Sequence, residues 1–313
     1  MKKVGLWMYE NDNGINIKKK LIPMLKKKGY EIYDKFDMRE CYMKNGKVYS
    51  LEGYCISDLD ILYHMNADEQ NNFQNDILKM IEKSGVHVFN SFSSFENCKD
   101  KPITNLILRK NGVLVPRSYL INNNITFDFA KQIFNEFKNG IVVKPRKSHG
   151  GKGVIKFVDL ETFWDFYIAT KSCFSDYYIE EYIEFDNHDY RVEIFNKKVV
   201  GEYCRGKNGT YKTNISSGGT MLAIEVGEEF EKIAKKSAEI LNITTTIVDM
   251  VKDREGKIYV LEVNPIMGIF TEEAMKAGTK MSVQANIPKQ FKNDDIKMQE
   301  IVNYIDNFFI KKI

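Results

Sequence analysis

Near the end of the chain, two carboxylates and an amide lie on two predicted strands that a tight turn joins. Asp249 is on the first strand, and Glu262 and Asn264 are on the second. Residues two apart on a strand share a face, and a turn around Asp253–Gly256 with an even number of residues would put Asp249 on that face as well. Three oxygen ligands that converge in this way suit a hard cation such as Mg2+, which usually arrives with substrate phosphates.

A glycine-bearing loop lies farther upstream, between the predicted strands Ile141–Pro145 and Gly153–Val158. Glycine lets backbone amides approach an anion, and a lysine on the preceding strand supplies a point charge. The residues concerned are Lys144, Ser148, Gly150, Gly151 and Gly153. The loop is not a P-loop, because no Gly-Lys-Ser/Thr opens a helix, and it is not a dinucleotide fingerprint, because a strand follows it. A glycine hairpin with a purely steric role is the alternative.

The segment Tyr177–Ile183 is a further predicted strand, and Asp189 follows it after a short acidic stretch. A strand end that meets an adenine edge, followed by a carboxylate for the ribose hydroxyls, would form a nucleotide cradle. Taken alone, the segment fits an edge strand with solvated acids better, because charged residues mostly lie at the surface.

Two arginines and an amide come next, on predicted strands and in the loop after them. They are Arg191, Arg205 and Asn214, with Lys212 close to Asn214 and a Gly-Gly pair at 218–219. Cations and amide donors of this kind suit an acyl phosphate or a γ-phosphate in transfer. The alternative is that the arginines are surface partners of nearby acids.

The composition is that of a globular protein with several cores. Of the 313 residues, 43% are hydrophobic and 12% aromatic, which excludes a disordered chain. A net charge of +3 gives no reason to expect nucleic acid as a partner. The five cysteines have no paired spacing, and the apolar start is too short for a signal peptide or a membrane span. We therefore expect a cytoplasmic protein without a membrane partner.

Strands and helices alternate over the first part of the chain, which predicts an open α/β lobe over residues 1–97. Two α+β lobes are expected to follow, over residues 98–185 and 186–313. The predicted helices are Ile15–Lys28, Asn71–Lys83, Ile103–Asn111, Phe230–Leu241 and Asp294–Ile310. Besides those named above, the predicted strands are Val4–Tyr9, Glu31–Tyr33, Leu59–His64, Val86–Phe89, Tyr190–Phe195 and Val199–Arg205.

Polar residues after the strands of the first lobe are candidates to face a substrate, because ligands of open α/β sheets lie at the strand ends. They are the stretch Glu10–Gly14 and the residues His64 and Asn66. Ordinary turn formation is the alternative.

In this order and spacing, the segments resemble the ATP-grasp superfamily and, within it, the RimK-like group, which includes ribosomal-protein glutamate ligases and lysine-biosynthesis ligases. The resemblance covers roughly residues 98–270, and the predicted first lobe agrees with the first domain of the family. The matching residues are Lys101, Val143-Lys144, Ser148–Gly153, Glu180–Ile183, Asp189–Arg191, Val199–Arg205, Asn214, Gly218-Gly219, Val248-Asp249 and Leu261–Asn264.

The resemblance implies an ATP-grasp fold, in which an open α/β lobe precedes two α+β lobes that clamp ATP. It further implies that Lys101 and Lys144 contact the phosphates, and that the loop with Ser148, Gly150, Gly151 and Gly153 closes over them as a mobile flap. The residues implied for the adenine pocket and the ribose are Glu180, Tyr182, Ile183 and Asp189.

For the chemistry, the resemblance implies that Mg2+, or Mn2+ in its place, is held by Asp249, Glu262 and Asn264. It places three further residues at the γ-phosphate and the carboxylate, namely Arg191, Arg205 and Asn214. In this family ATP phosphorylates a carboxylate, and an amine then displaces the phosphate to form an amide.

We expect an amino acid or peptide among the substrates, and chains of such relatives often pair. Two alternatives stay open: a small-molecule kinase on the same fold, and a non-catalytic nucleotide-binding regulatory protein. The chain departs from the family at Glu180-Glu181, where Gln-Glu is usual, and at Lys212, where Arg is usual. Lysine keeps the charge but loses the bidentate fork of arginine. Pro265–Gly268 replaces small residues at the border of the substrate cleft, which leaves the substrate itself open.

Overall fold

A computed structural model describes most of the chain, including every candidate residue for the nucleotide, the metal and the chemistry. The described residues are 1–8, 12–65, 73–148, 150–207, 209, 211–214, 219–222, 226–269 and 288–311. Of the residues considered for substrate or phosphate contacts, Glu10, Asn11, Asn66 and Gly218 lie outside these ranges. Within the described residues, no helix combines the length and the hydropathy that crossing a membrane requires.

The first lobe is an open parallel sheet with helices, as the sequence predicts. Its strands are β1 (Lys3–Trp7), β2 (Glu31–Tyr33), β5 (Ile61–His64) and β6 (His87–Phe89), in the order β2-β1-β5-β6, and a separate hairpin is formed by β3 (Tyr42–Lys44) and β4 (Lys47–Tyr49). The helices are α1 (Asp12–Lys27) and α2 (Phe73–Lys83). Strand β1 is almost wholly buried, because parallel sheets are covered on both faces.

The second lobe is an antiparallel sheet with two helices packed on it. Helices α3 (Phe92–Lys99) and α4 (Lys101–Lys110) lead into it. Its strands are β7 (Ser118–Asn122), β8 (Ile141–Lys144), β9 (Ile155–Phe157) and β10 (Asp176–Glu181), in the order β7-β10-β8-β9, and its helices are α5 (Phe127–Glu136) and α6 (Leu160–Thr170). Thr126 and Asp159 cap the two helices by accepting hydrogen bonds from backbone amides of their first turns.

The third lobe is a second antiparallel sheet with a helix on one face. Its elements are β11 (His188–Phe195), β12 (Lys198–Gly206), β13 (Thr220–Leu222), α7 (Glu228–Ile240), β14 (Thr245–Lys252) and β15 (Ile258–Asn264), with the strand order β13-β12-β11-β14-β15. The alternation along β11 divides its side chains between the two faces. Val192 and Ile194 pack with Phe230 of α7, whereas Asp189 and Arg191 point to the other face.

The last helix, α8 (Pro288–Lys311), joins the first and third lobes through one hydrophobic core. Ile301 and Ile305 of α8 pack in this core with Leu6 of β1, Leu21 of α1 and Ile247 of β14. The sheet of the first lobe is thus covered on one side by a helix that follows it in sequence only after the second lobe and the strands of the third.

Candidate active site

The hairpin β14–β15 brings the two predicted metal acids together, but not by the turn that the sequence suggested. Lys252 pairs with Ile258 across residues 253–257, so an odd number of residues closes the turn and the turn prediction is wrong. The register shifts between Asp249 and Met250, because Leu261 is an extra residue on β15. Such a β-bulge inserts one residue into one strand, so that beyond it each residue of β14 faces a residue one position farther along β15. Asp249 therefore lies directly opposite Glu262, and the shared face that the sequence predicts is confirmed.

On this face, arginines and acids alternate across three neighbouring strands. Arg191 donates to both oxygens of Asp249, with Nε–Oδ1 at 2.6 Å and Nη2–Oδ2 at 2.8 Å. Arg205 donates to Asp189 through Nε at 2.9 Å and lies 3.2 Å from Asp249 through Nη2. Burial is the largest single influence on the Arg191 guanidinium and lowers its pKa, but the charge of Asp249, its hydrogen bond, and the nearby Tyr203 and Asp189 together raise the pKa well above its ordinary value. Loss of any one member would leave an uncompensated charge in a buried layer.

Asp189 is a partner of Arg205 in this arrangement. Its Oδ1 accepts from the Nε of Arg205, and its Oδ2 accepts from the Oγ1 of Thr213 at 2.8 Å. Asp189 is almost fully buried, although it borders the cleft. Contact with a ribose stays a prediction for this residue, and it would require Asp189 to share these oxygens.

Lys101, the first residue of α4, links the glycine-bearing loop to Glu262. Its Nζ lies 3.1 Å from Glu262 Oε1 and also donates to the carbonyl of Ser148. The start of α4 is held from the same loop, because Arg146 forms a bidentate pair with Asp100, with Nε–Oδ1 at 2.9 Å and Nη2–Oδ2 at 2.7 Å. A helix N-terminus and a lysine side by side are a favourable environment for an anion.

Lys144 and Glu180 form a second buried ion pair on the neighbouring strands β8 and β10. The chain then leaves the sheet through residues 180–183, which we call the hinge. The backbone amide of Tyr182 in the hinge donates to the carbonyl of Gly140 at 3.0 Å. The ammonium of Lys156 lies 3.4 Å from the centroid of the Tyr182 ring, which is a cation–π contact. The hinge thus presents an aromatic ring with a charged cover at the rim of the cleft.

The glycine-bearing loop of the second lobe closes against the third lobe. Gly150, Gly151 and Gly153 have positive φ values of 69°, 69° and 72°. A Cβ on Gly151 would lie 2.4 Å from Oδ1 of Asn214, so only glycine fits there. The Nζ of Lys212 donates to the carbonyl of Gly151 at 3.2 Å. Backbone and side chains of the two lobes therefore meet over one cleft.

Most predicted site residues line this single cleft. Those that border it are Lys101, Lys144, Ser148, Gly151, Glu180, Tyr182, Ile183, Asp189, Arg205, Asn214, Asp249 and Glu262. Gly150, Gly153, Arg191 and Asn264 do not border it. Arg191 stands behind Asp249, and Gly153 packs at the loop base, where an added Cβ would lie 2.6 Å from Pro145 Cγ.

Sequence reasoning missed the apolar lining of the cleft. The residues concerned are Val142, Val154, Phe185, Tyr211, Val251 and Leu261. Val142, Val251 and Leu261 lie beside core residues on β8, β14 and β15, whereas the other three lie outside the strands. No local signal separates an apolar side chain that faces a ligand from one that faces the core. An apolar slot beside the hinge with a charged floor is the usual form of a nucleotide site.

The donor set fits a hard cation that comes with a phosphate ligand. Among the described residues, no three His, Cys, Asp or Glu side chains are grouped as a metal site. Two acids, Asp249 and Glu262, face each other, and Asn264 lies one step along the same face, opposite Ile247. The buried Nδ2 of Asn264 has no hydrogen-bond partner within the described part of the chain. Rotation of the side-chain amide would place its oxygen where Nδ2 now lies. A small number of protein ligands is enough for Mg2+, because substrate phosphates and water complete its coordination shell.

His64 is wrong as a substrate-facing candidate. It is only 3% exposed, and its Nε2 lies 2.9 Å from the backbone oxygen of Asn90. Its ring packs edge-on against Phe95 at 5.6 Å. Burial lowers the pKa of His64 to about 4, so the imidazole is neutral near pH 7. The side chain at this strand end points into the core between lobes instead of toward the cleft.

An α/β lobe followed by two antiparallel lobes that close over one cleft is the ATP-grasp fold, and solved structures share it. D-alanine–D-alanine ligase from Bacillus anthracis is 20% identical, with a TM-score of 0.66 over 97% of each chain. The ATP-grasp ligase PsnB, complexed with a minimal precursor, is 16% identical, with a TM-score of 0.64 over 96% of this chain and 99% of the other. The predicted fold class is thereby confirmed.

Comparison with protein families defines the group more closely. The model of the RimK-like ATP-grasp domain matches residues 98–287. The coenzyme γ-F420-2:α-L-glutamate ligase of Methanococcus maripaludis is 31% identical over 199 residues, which are 61% of this chain and 67% of the relative. The α-aminoadipate–LysW ligase LysX of Saccharolobus solfataricus is 25% identical over 254 residues, or 79% and 88% of the two chains. The chain belongs to the RimK-like ATP-grasp family of ATP-dependent carboxylate–amine ligases.

Proposed function

We propose that the protein couples the carboxylate of one substrate to the amine of another, with an amino acid or peptide as one of the two. The observation that carries this proposal is the facing pair of acids, Asp249 and Glu262, in a cleft that also holds Lys101, Lys144 and Arg205. Its relatives support the substrate class, because they include ligases named for α-L-glutamate and for α-aminoadipate.

In the first step, an oxygen of the substrate carboxylate attacks the γ-phosphorus of ATP, the bond to the β–γ bridging oxygen breaks, and ADP leaves. In the second step, the amine attacks the acyl carbon, inorganic phosphate leaves and the amine loses a proton. Positioning and charge neutralisation do most of the work in phosphoryl transfer. A bound Mg2+ would add positive charge at the β- and γ-phosphates.

The residues around the cleft suit these steps. Lys101 and Lys144 would contact phosphates, the hinge and its apolar neighbours would hold the adenine, and Asp249, Glu262 and Asn264 would hold the metal. Arg205 borders the cleft and suits the transferred phosphate, whereas Arg191 supports Asp249 from behind. Closure of the glycine-bearing loop against Asn214 would keep water from the acyl phosphate, which would otherwise be hydrolysed.

An ADP-release assay tests the proposal with ATP and Mg2+ against pools of amino acids, short peptides and small carboxylic acids, with product masses measured in parallel. A condensed mass with one ADP per bond is the expected result. A phosphorylated product without an amine requirement would identify a kinase instead. Nucleotide binding without ADP release from any pool would favour a regulatory protein.

A double variant ties the activity to the metal residues. Glu262→Ala with Asn264→Ala should abolish ATP turnover while the fold stays intact. Glu255→Ala is the matched control, because Glu255 is an exposed acid at the tip of the same hairpin and pairs with Lys257 alone in the structure described. Near-wild-type turnover in the double variant would overturn the site assignment.

A further inference from the structure

Asn90 lies just after β6 of the first lobe, and its side chain reaches into the third lobe. Asn90 is 1% exposed, and its side-chain amide makes four hydrogen bonds. Oδ1 accepts from the backbone amides of Thr244 at 2.9 Å and Thr245 at 2.8 Å. Nδ2 donates to the carbonyls of Thr245 at 2.8 Å and Pro265 at 2.6 Å. An amide has two donors and two acceptor sites, so Asn90 is fully satisfied.

These contacts lie where the pairing of β14 with β15 stops. The last paired residues are Ile247 and Asn264, and the residue that follows β15, Pro265, has no amide hydrogen to continue the ladder. The Asn90 amide bridges Thr245 and Pro265 instead, and Thr246 Oγ1 donates to the carbonyl of Asn264 at 2.6 Å. Asn90 thus takes the place of the next backbone pair.

The first lobe holds Asn90 firmly. The backbone oxygen of Asn90 accepts from Nε2 of His64, which is neutral and buried on the adjacent strand β5. His64 is the last residue of β5 and Asn90 directly follows β6, and both strands contribute residues to the same hydrophobic core. The Pro265 carbonyl, in the peptide between Pro265 and Ile266, is therefore held by a residue of a different lobe.

We propose that Asn90 is a positioning residue for the metal-binding end of β15. It holds the carbonyl of Pro265, the residue after Asn264, from the first lobe, so that the Asn264 side chain keeps the face it shares with Glu262 and Asp249. This inference rests on the proposed role of Asn264 as a metal ligand. Groups that orient metal ligands without touching the metal typically change metal affinity by about 10- to 100-fold when they are removed.

A second contact between the same lobes provides a matched control. Ser94 of α3 is 2% exposed, and its Oγ donates to the carbonyl of Asn242 at 2.7 Å. Ser94→Ala removes a buried hydrogen bond between the first and third lobes, as Asn90→Ala does, but it does not touch the end of β15. Asn264→Ala tests the ligand itself.

The measurement is the factor by which Mn2+ tightens ADP binding, obtained by calorimetry on the full chain with and without the metal. For Asn90→Ala we expect this factor to fall about ten-fold while metal-free ADP affinity stays within about two-fold. Asn90→Asp keeps both acceptor contacts and loses the donors to Thr245 and Pro265. It should lower the factor in the same way, and it serves as the test if Asn90→Ala folds poorly.

The outcomes separate the inference from the function on which it rests. If Asn264→Ala lowers the factor and both Asn90 variants keep it, the positioning role is wrong. If Ser94→Ala lowers the factor as much as Asn90→Ala, the loss of any contact between the two lobes is enough to cause the effect, and the inference is also overturned. If Asn264→Ala keeps the wild-type factor, the proposed metal ligand fails, whatever the Asn90 variants do.

Discussion

Lys101 Nζ lies 3.1 Å from Glu262 Oε1, so a residue proposed for the phosphates holds an acid proposed for the metal. The facing acid, Asp249, is held in the same way by Arg191 and Arg205. A divalent cation that approaches these acids meets carboxylates whose charge is already matched. A nucleotide changes this, because its phosphates offer Lys101 a stronger partner and release Glu262. We therefore expect metal and nucleotide to bind together.

Lys101→Met tests this coupling. Loss of the ammonium should increase Mn2+ affinity without nucleotide by at least about three-fold, because the metal no longer competes with a nearby cation, and it should weaken ADP binding. Lys147→Met is the control, since Lys147 pairs with Glu96, away from both acids. Mn2+ binding can be followed by electron paramagnetic resonance. If Lys101→Met binds Mn2+ without nucleotide as the wild type does, the Lys101–Glu262 ion pair does not compete with the metal.

Gly151→Ala tests loop closure. The new methyl group would lie 2.4 Å from Asn214 Oδ1, and the residue has a φ of +69°, so the loop must withdraw from the third lobe. We expect ATP turnover to fall by about ten-fold or more, as misplaced catalytic groups do. Gly46→Ala has a similar φ of +76° in open space and should cost only about 1 kcal/mol of stability, without loss of turnover. Equal turnover in both variants would contradict the closure role.

The pH dependence of stability should carry the signature of His64. Burial lowers its pKa from 6.5 to about 4 in the folded protein, so the unfolded chain binds more protons between these values. Its contribution is full above about pH 6.5 and is lost as the pH falls toward 4, by on the order of 3 kcal/mol. His64→Gln should remove this part of the slope. Denaturant unfolding at pH 7 and pH 4.5 measures it, and parallel losses in both proteins would refute the assignment.

The Asp100–Arg146 pair should set the affinity for nucleotide phosphates through the start of α4. Arg146→Met and Asp100→Asn each release the clamp beside Lys101, and each should raise the KM for ATP. Because both remove one interaction, the double variant should be no worse than either single variant, with a coupling of about 1 kcal/mol. The exposed pair Lys47–Asp58 is the control cycle and should couple weakly. Additive effects at Asp100 and Arg146 would argue against a shared role.

The sequence predicts those parts of the site that depend on strand alternation and on motif order. Glu262 and Asn264 share a face because they are two residues apart, and the ordered segments are enough to predict the fold. The Leu261 bulge is not predictable in this way, because nothing in the local pattern marks an extra residue. Asp249 does share the face of Glu262 and Asn264, as predicted, but the reason is the bulge and not the length of the turn.

Contacts between lobes are the part that sequence reasoning could not reach. Asn90 and Thr245 are far apart in the chain, and their pairing exists only once two lobes have packed. Helices α5 and α6 are also absent from the prediction, because they are rich in aromatic residues that suit a strand equally well. The partners of Asp189 likewise depend on the register of β11 against β12.

The core that α8 completes has a consequence for synthesis on the ribosome. Leu6 and Tyr63 leave the ribosome early, but Ile301 and Ile305, which pack in the same core, are translated much later. The apolar surface of the first lobe therefore stays exposed until α8 has been synthesised, and such surface binds chaperones or other nascent chains. A nascent chain arrested before residue 288 should stay sensitive to protease within residues 1–65, and release of the full chain should protect it. Early protection in the arrested chain would mean that the first lobe matures without its last helix.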